Sequence, residues 1–311
     1  MNRRQFLASA CGAAAASLIG DQLMSQETQP SQPAASAMLK RAIPSTGETI
    51  PCIGMGTWQT FDVRGDRAAL APLREVLKAF SAAGGRVVDS SPMYGAAESV
   101  VGDLTAELHL RDKLFMATKV WTHGRDQGVR QIEESLRRMR VERMDLMQIH
   151  NLADVETHTR TLKDMKEAER VRYIGITHYT ASAYGEIERL LKTKAYDFLQ
   201  INYSLGERDA ENRLLPLARD LKVAVIANRP FQEGALFSHV KGKPLPAWAA
   251  ELGIASWAQY FLKWIVSHPA LTCAIPATTR PEHIRDNMAA GLGALPDAGT
   301  RRKMVEYFDS V

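Results

Sequence analysis

The chain has 311 residues, of which 45% are hydrophobic and 24% charged, and it carries a formal net charge of +4. This is ordinary globular composition with enough length for a large core. No dense Lys/Arg block stands in the body of the chain, and no internal apolar run is long enough to span a bilayer. These features set aside nucleic acid as a partner and a membrane span in the mature chain.

The first stretch reads apart from the fold. Arg3-Arg4 precede Phe6-Leu7, the chain from 6 to 20 is small, apolar and uncharged, and Ala35-Ser36-Ala37 offers a small-x-small cleavage site. That is the plan of an export leader, and the paired arginines point to the twin-arginine route. The expectation is a leader and linker over 1–37, a folded domain over 38–311, the twin-arginine export machinery as a partner and a periplasmic mature protein. Cys52 and Cys273 then remain. Each precedes a strand, the first and the last in order, so a closed sheet makes them neighbours. A Cys52–Cys273 disulfide is one reading in an oxidising compartment, and two small buried hydrophobes the other.

From 38 to 52, two short apolar pieces around Ser45-Thr46-Gly47 predict a hairpin. A strand with two glycines follows at 53–58, where glycine implies close approach of a backbone or ligand. Helical periodicity over 66–83 puts Leu70, Leu73, Val76, Leu77 and Phe80 on one face. Val87-Val88 form a short strand that ends at Asp89, and a loop runs from Ser90 to Gly95. The alternation continues with a helix at 97–108, a strand at 114–118 ending at Lys119, a helix at 129–139 and a strand at 144–149 ending at His150. Then come a helix at 157–169, a strand at 173–177, a helix at 181–191, a strand at 198–202, a helix at 211–221 and a strand at 223–227. A longer insertion through Pro244-Leu245-Pro246 leads to a helix at 256–268, a strand at 271–276 and a last helix at 281–290.

Strands that alternate with helices in this way predict an α/β fold, a (β/α)8 TIM barrel with a short N-terminal β-hairpin. A doubly wound open sheet is the competing architecture, but Gly54-Met55-Gly56-Thr57 does not complete the Gly-x-Gly-x-x-Gly turn that it usually carries.

Chemistry on a barrel sits at the C-terminal ends of the strands. Asp89, Tyr94, Lys119 and His150 all fall there, on three successive strands. A free tyrosine, with a pKa of about 10, is a poor acid–base group at neutral pH. A nearby ammonium is expected to lower that value, with Asp89 keeping Lys119 charged and in place. Neutral His150 can donate a hydrogen bond that orients a carbonyl oxygen, while Tyr94 delivers a proton and a cofactor delivers hydride. A barrel hydrolase would want metal ligands or paired carboxylates on the rim, and no convincing set is present.

These residues resemble the aldo/keto reductase family. The likeness runs over about 39–290 and rests on Gly56-Thr57-Trp58, Asp89-Ser-Ser-Pro-Met-Tyr94-Gly-Ala-Ala-Glu98, Ala117-Thr118-Lys119-Val120-Trp121, Asp145-Leu146 with His150, Gly175-Ile176-Thr177, and Ile275-Pro276-Ala277-Thr278-Thr279-Arg280-Pro281-Glu282 with Asn287. The resemblance implies an NAD(P)H-dependent oxidoreductase that reduces small-molecule aldehydes or ketones to alcohols. It implies Tyr94 as acid/base, Lys119 and Asp89 as its tuners and His150 as substrate orienter. It also implies Thr177, His178 and Gln200 at the nicotinamide carboxamide, Thr278, Arg280 and Asn287 at the far phosphate, and Trp58 and Trp121 as pocket walls.

The chain departs from the family pattern in several places. His178 replaces the usual Asn, and Asn228-Arg229-Pro230-Phe231 replaces an aromatic-containing turn, so that Arg229 could stack on nicotinamide through its guanidinium plane. Ala277 and His283 stand where the family commonly has a lysine and an arginine. NADP(H) or NAD(H) is therefore the expected cofactor, with the preference open. A non-catalytic nucleotide-sensing or partner-binding protein on the same barrel is the other reading that the resemblance allows.

Overall fold

The computed structural model describes residues 37–311 except Arg64 and Asp66; apart from Ala37, the expected leader lies outside the described residues. A hairpin of β1 (Lys40–Ala42) and β2 (Thr49–Pro51) comes first. Eight parallel strands follow: β3 (Met55–Gly56), β4 (Val87–Asp89), β5 (Phe115–Val120), β6 (Met144–His150), β7 (Val171–Thr177), β8 (Phe198–Asn202), β9 (Ala224–Asn228) and β10 (Leu271–Ala274). Each pairs with its sequence neighbour, and a bridge between Ile53 and Ala274 joins the last strand to the first. The expected (β/α)8 barrel is what the chain forms.

Between the strands lie α1 (Arg67–Ala82), α2 (Ala97–Glu107), α3 (Arg125–Met139), α4 (Val155–Glu167), α5 (Tyr184–Leu191), α6 (Leu214–Asp220), α7 (Ala235–His239) and α8 (Trp257–Val266). After β10 come α9 (Pro281–Ala289) and α10 (Ala298–Ser310). The sequence reading stopped at α9. The last helix escapes it because its buried face holds only Met304 and Phe308. It is fixed instead by Asp297, whose carboxylate caps Thr300 N–H at 2.7 Å, and by Tyr260 O–H donating to Met304 O at 2.9 Å. The insertion after β9 likewise contains a short helix, α7, that its sequence pattern does not announce.

Strand side chains alternate between two cores. Val88, Met116, Met147, Ile174, Leu199 and Val225 face the helices. Val87, Phe115, Ala117, Leu146, Tyr173, Phe198, Ala224 and Ile226 fill the barrel, where Ile43 and Ile50 of the hairpin join them. The hairpin therefore closes the N-terminal end. Tyr173 O–H donates to Glu48 Oε2 at 2.8 Å, and Arg172 pairs with both Glu48 and Asp145.

Gly54 is where the barrel seam closes most tightly. A Cβ there would sit 2.9 Å from Val87 Cβ and 3.1 Å from Cys273 Sγ, so the expected close approach is by backbone and core, not by ligand. The expected disulfide is not formed: Cys52 and Cys273 are free and buried. The reason is parity. Cys52 belongs to the helix-facing core and Cys273 to the barrel interior, so the two thiols sit in different cores on either side of the sheet. Burial pushes the Cys52 thiol up to about 11, which leaves it an inert hydrophobe.

Candidate active site

Continuing the inward parity toward the C-terminal ends turns the barrel interior from apolar to polar. Asp89, Lys119, Gln148, His150, Thr177, Gln200 and Asn202 are all buried on the face that carries Val87, Phe115, Leu146, Tyr173 and Phe198 lower down. Lys119 is fully buried at the end of β5. Its ammonium donates to Asp89 Oδ2 at 2.6 Å and to Ser90 O at 2.5 Å. Asp89 Oδ1 accepts from Gln148 Nε2 at 3.0 Å and from Gln200 Nε2 at 2.9 Å. Thr177 Oγ1 donates to Gln200 Oε1 at 3.1 Å. Both carboxylate oxygens are thus held, which a buried charge requires.

Tyr94 stands on the loop after β4. Gly95 allows the loop to turn with φ of +60°, where a Cβ would run into the Asp62 carboxylate at 2.2 Å. Asp62 in turn accepts from Ala96 N–H at 2.8 Å and holds the loop. Glu98, which closes the motif, is buried and accepts from Thr118 Oγ1 at 2.6 Å. The Lys119 ammonium lies 5.0 Å from the centre of the Tyr94 ring. The His150 ring stands edge-on to Tyr94, with centroids 6.0 Å apart.

The expected effect of Lys119 on Tyr94 is present but does not win. Burial raises the phenol above its usual value; Lys119 pulls it down only in part, and Asp89 pushes it further up. Tyr94 therefore keeps its proton at neutral pH. Burial also works against the Lys119 charge, yet Asp89 and Tyr94 outweigh it and the ammonium is held above its ordinary value. Burial, then Lys119 and His178, drive His150 down to about 3, so the imidazole is neutral.

Asp89, Tyr94 and His150 line a cavity of about 560 Å³, together with Trp58, Met93, Thr177, Tyr179, Gln200, Asn228, Arg229, Phe231, Phe237 and Ala277. Of the expected pocket walls, Trp58 lines the cavity, while Trp121 sits beside His150 with ring centroids 6.4 Å apart. Both indoles are about two-fifths exposed, at 40% and 44%. The expected cofactor residues divide. Thr177, Gln200 and Arg229 line the cavity. His178 turns aside: its Nδ1 accepts from Thr180 N–H at 3.2 Å, its carbonyl accepts from Asn228 Nδ2 at 3.3 Å, and its ring stacks on Tyr179. Thr278 and Arg280 lie just before α9 and Asn287 in its last turn, all beyond the cavity lining, and exposed Arg280 pairs with Glu282 at 2.6 Å. Arg229 pairs with Glu233 at 3.1 Å and faces the Tyr179 ring at 5.8 Å.

Sequence reasoning passed over Gln148, Ser91 and Asn228 as site residues. Gln148 was findable, since it lies two positions before His150 and so on the same strand face. Ser91 and Asn228 declare themselves only through their three-dimensional neighbours.

The comparisons agree with this geometry. The aldo/keto reductase family matches residues 52–302, and the chain belongs to that family. It is thus an oxidoreductase enzyme. The chain is 29% identical over 262 residues to the methylglyoxal reductase YeaE of Escherichia coli K12, covering 81% of this chain and 89% of that protein. It is also 29% identical over 252 residues to an aldo-keto reductase of Mycobacterium sp. strain JLS, covering 78% and 83% of the two chains. Among solved structures, an aldo/keto reductase of Klebsiella pneumoniae in complex with NADP and acetate superposes with a TM-score of 0.71 at 25% identity, over 84% of this chain and 93% of that one.

Proposed function

We propose that this enzyme reduces a small aldehyde or ketone to the alcohol, with Tyr94 as the proton donor. The observation that carries the reading is the buried Lys119 ammonium, fixed between the Asp89 carboxylate and the Tyr94 ring, two groups that line one cavity with His150. His150 is neutral and donates a hydrogen bond to the carbonyl oxygen, which orients the substrate. Tyr94 gives its proton to the same oxygen as negative charge builds there, and Lys119 stabilises the phenolate left behind. Asp89, held by Gln148 and Gln200, keeps Lys119 in place.

A reduced nicotinamide cofactor fits the residues present. Asn228 Oδ1 and Arg229 Nε are buried without a hydrogen-bond partner, on two residues that line the cavity. A ligand rich in amide and phosphate groups satisfies such atoms. Bound there, the cofactor supplies the hydride. Thr177, Gln200 and Asn228 would hold its carboxamide end, Arg229 would cover it, and Thr278, Arg280 and Asn287 would meet its far phosphate. Trp58, Met93, Tyr179, Phe231 and Phe237 make the cavity wall largely apolar, which suits an uncharged carbonyl compound. The similarity to a methylglyoxal reductase supports a small-molecule carbonyl substrate.

Titration with NADPH and NADH, followed by quenching of protein fluorescence, tests the reading when coupled to cofactor oxidation by benzaldehyde. Saturable binding of either cofactor and aldehyde-dependent oxidation are expected. Absence of both refutes it. The comparison of NADPH with NADH also decides whether Arg280 suffices as a phosphate ligand where Ala277 and His283 carry no fixed charge.

The export reading stands as a second proposal: residues 1–37 carry the folded enzyme through the twin-arginine machinery to the periplasm. Fusion of 1–37 to a reporter that is active only after export should be productive in wild-type bacteria and silent in cells lacking that machinery. Cytoplasmic retention in both refutes it.

A further inference from the structure

Ser91 is completely buried, three residues before Tyr94, and its hydroxyl has two partners among the described residues. One is Met93 N–H at 3.4 Å, which can only donate. The other is His150 Nδ1 at 3.0 Å. Because Ser91 is fully buried and Nδ1 is the one acceptor its hydroxyl reaches among the described residues, the hydroxyl hydrogen has a single place to go. Ser91 therefore donates to Nδ1, and Nδ1 is an acceptor. A neutral imidazole that accepts at one nitrogen carries its hydrogen on the other. That other nitrogen, Nε2, makes no protein hydrogen bond among the described residues, and His150 lines the cavity.

We propose that Ser91 is a positioning residue that fixes His150 in the Nε2–H tautomer and so aims its one donor at the substrate carbonyl oxygen. The inference rests on the reading of His150 as the carbonyl's donor. Met93 N–H contributes by occupying a hydroxyl lone pair, which leaves Ser91 free only to donate. If Nδ1 carried the hydrogen instead, Nε2 would face the carbonyl oxygen lone pair to lone pair, and the site would repel its substrate. The displacement of the His150 pKa to about 3 agrees with a ring that is neutral throughout the working range.

The test is NMR of the full chain labelled with 15N-histidine, with His150→Gln assigning the His150 signals. The expected result is an Nε2–H tautomer in the wild type that becomes mixed, or inverts, in Ser91→Ala. Turnover of benzaldehyde by Ser91→Ala should fall about tenfold, the scale of one hydrogen bond, with cofactor affinity unchanged. Ser91→Thr, which keeps the hydroxyl, should restore both tautomer and rate. An Nδ1–H tautomer in the wild type overturns the proposal without any variant, and so does an Nε2–H tautomer that survives Ser91→Ala. Unchanged turnover in His150→Gln would instead overturn the reading of His150 itself, and the tautomer result would stand apart from it.

Discussion

The barrel interior has two halves, offset by two or four positions along each strand. Low on the strands, Val87, Phe115, Leu146, Tyr173 and Phe198 pack against the hairpin residues Ile43 and Ile50. Tyr173 and Phe198 meet edge-on with centroids 5.6 Å apart, and Phe115 stacks on Tyr173 at 6.0 Å. On the same inward face, Asp89, Lys119, Gln148, Thr177 and Gln200 form one hydrogen-bonded network at the C-terminal ends. The lower half is held by burial of apolar area and the upper half by satisfied charge. Apolar packing and the charged network thus fall to different residues of the same strands, and substitutions in the two halves should fail in different ways.

The largest expected split comes from Tyr94→Phe. It removes only a hydroxyl at the cavity, so kcat should fall by about 10²–10⁴. The affinity for NADPH and the urea midpoint should stay at wild-type values. Phe198→Ala is the counterpart in the floor. Loss of a buried phenyl ring costs about 3–5 kcal/mol. Chemical denaturation should show that loss, while kcat per folded molecule holds.

A third test uses pH. His150 has its folded pKa lowered from 6.5 to about 3, so between these values the unfolded chain binds the extra proton. Stability from this group is therefore complete above about pH 6.5 and is lost as pH falls toward 3, by about 2 kcal/mol between pH 6.5 and 5. His268, lowered to about 4 by burial first of all, adds a slope of the same sign. Urea midpoints from pH 7 to 5 should fall less steeply for His150→Gln than for the wild type. The smallest effect belongs to the rim. Trp58→Ala should raise KM for benzaldehyde a few-fold, about 1 kcal/mol of apolar contact, and barely change kcat.

Much of this arrangement was legible in the sequence because period-2 alternation and strand ends are local signals. Asp89, Lys119 and His150 were found as polar residues terminating apolar strands, and each sits where that reading put it. The seam at Gly54 was legible as a close approach, though not what approaches. What escaped was set by long-range partners. The order of effects on Tyr94 depends on how deeply the ring is buried, which no spacing reveals, and burial outweighs Lys119. The Cys52–Cys273 reading placed two thiols on adjoining strands without asking which core each faces. Helix α10 carries too few apolar residues to announce itself and is fixed by its cap and by contacts to α8.

The measurement that bears most directly on the account is the single-turnover oxidation of bound NADPH by benzaldehyde, compared between wild type and Tyr94→Phe at equal cofactor occupancy. Single turnover removes product release from the rate and leaves the hydride and proton steps. The account predicts a fall of at least about a hundredfold in the variant. A rate within about twofold of wild type, a change of under 0.5 kcal/mol in the barrier, would contradict it and take the proton from another group.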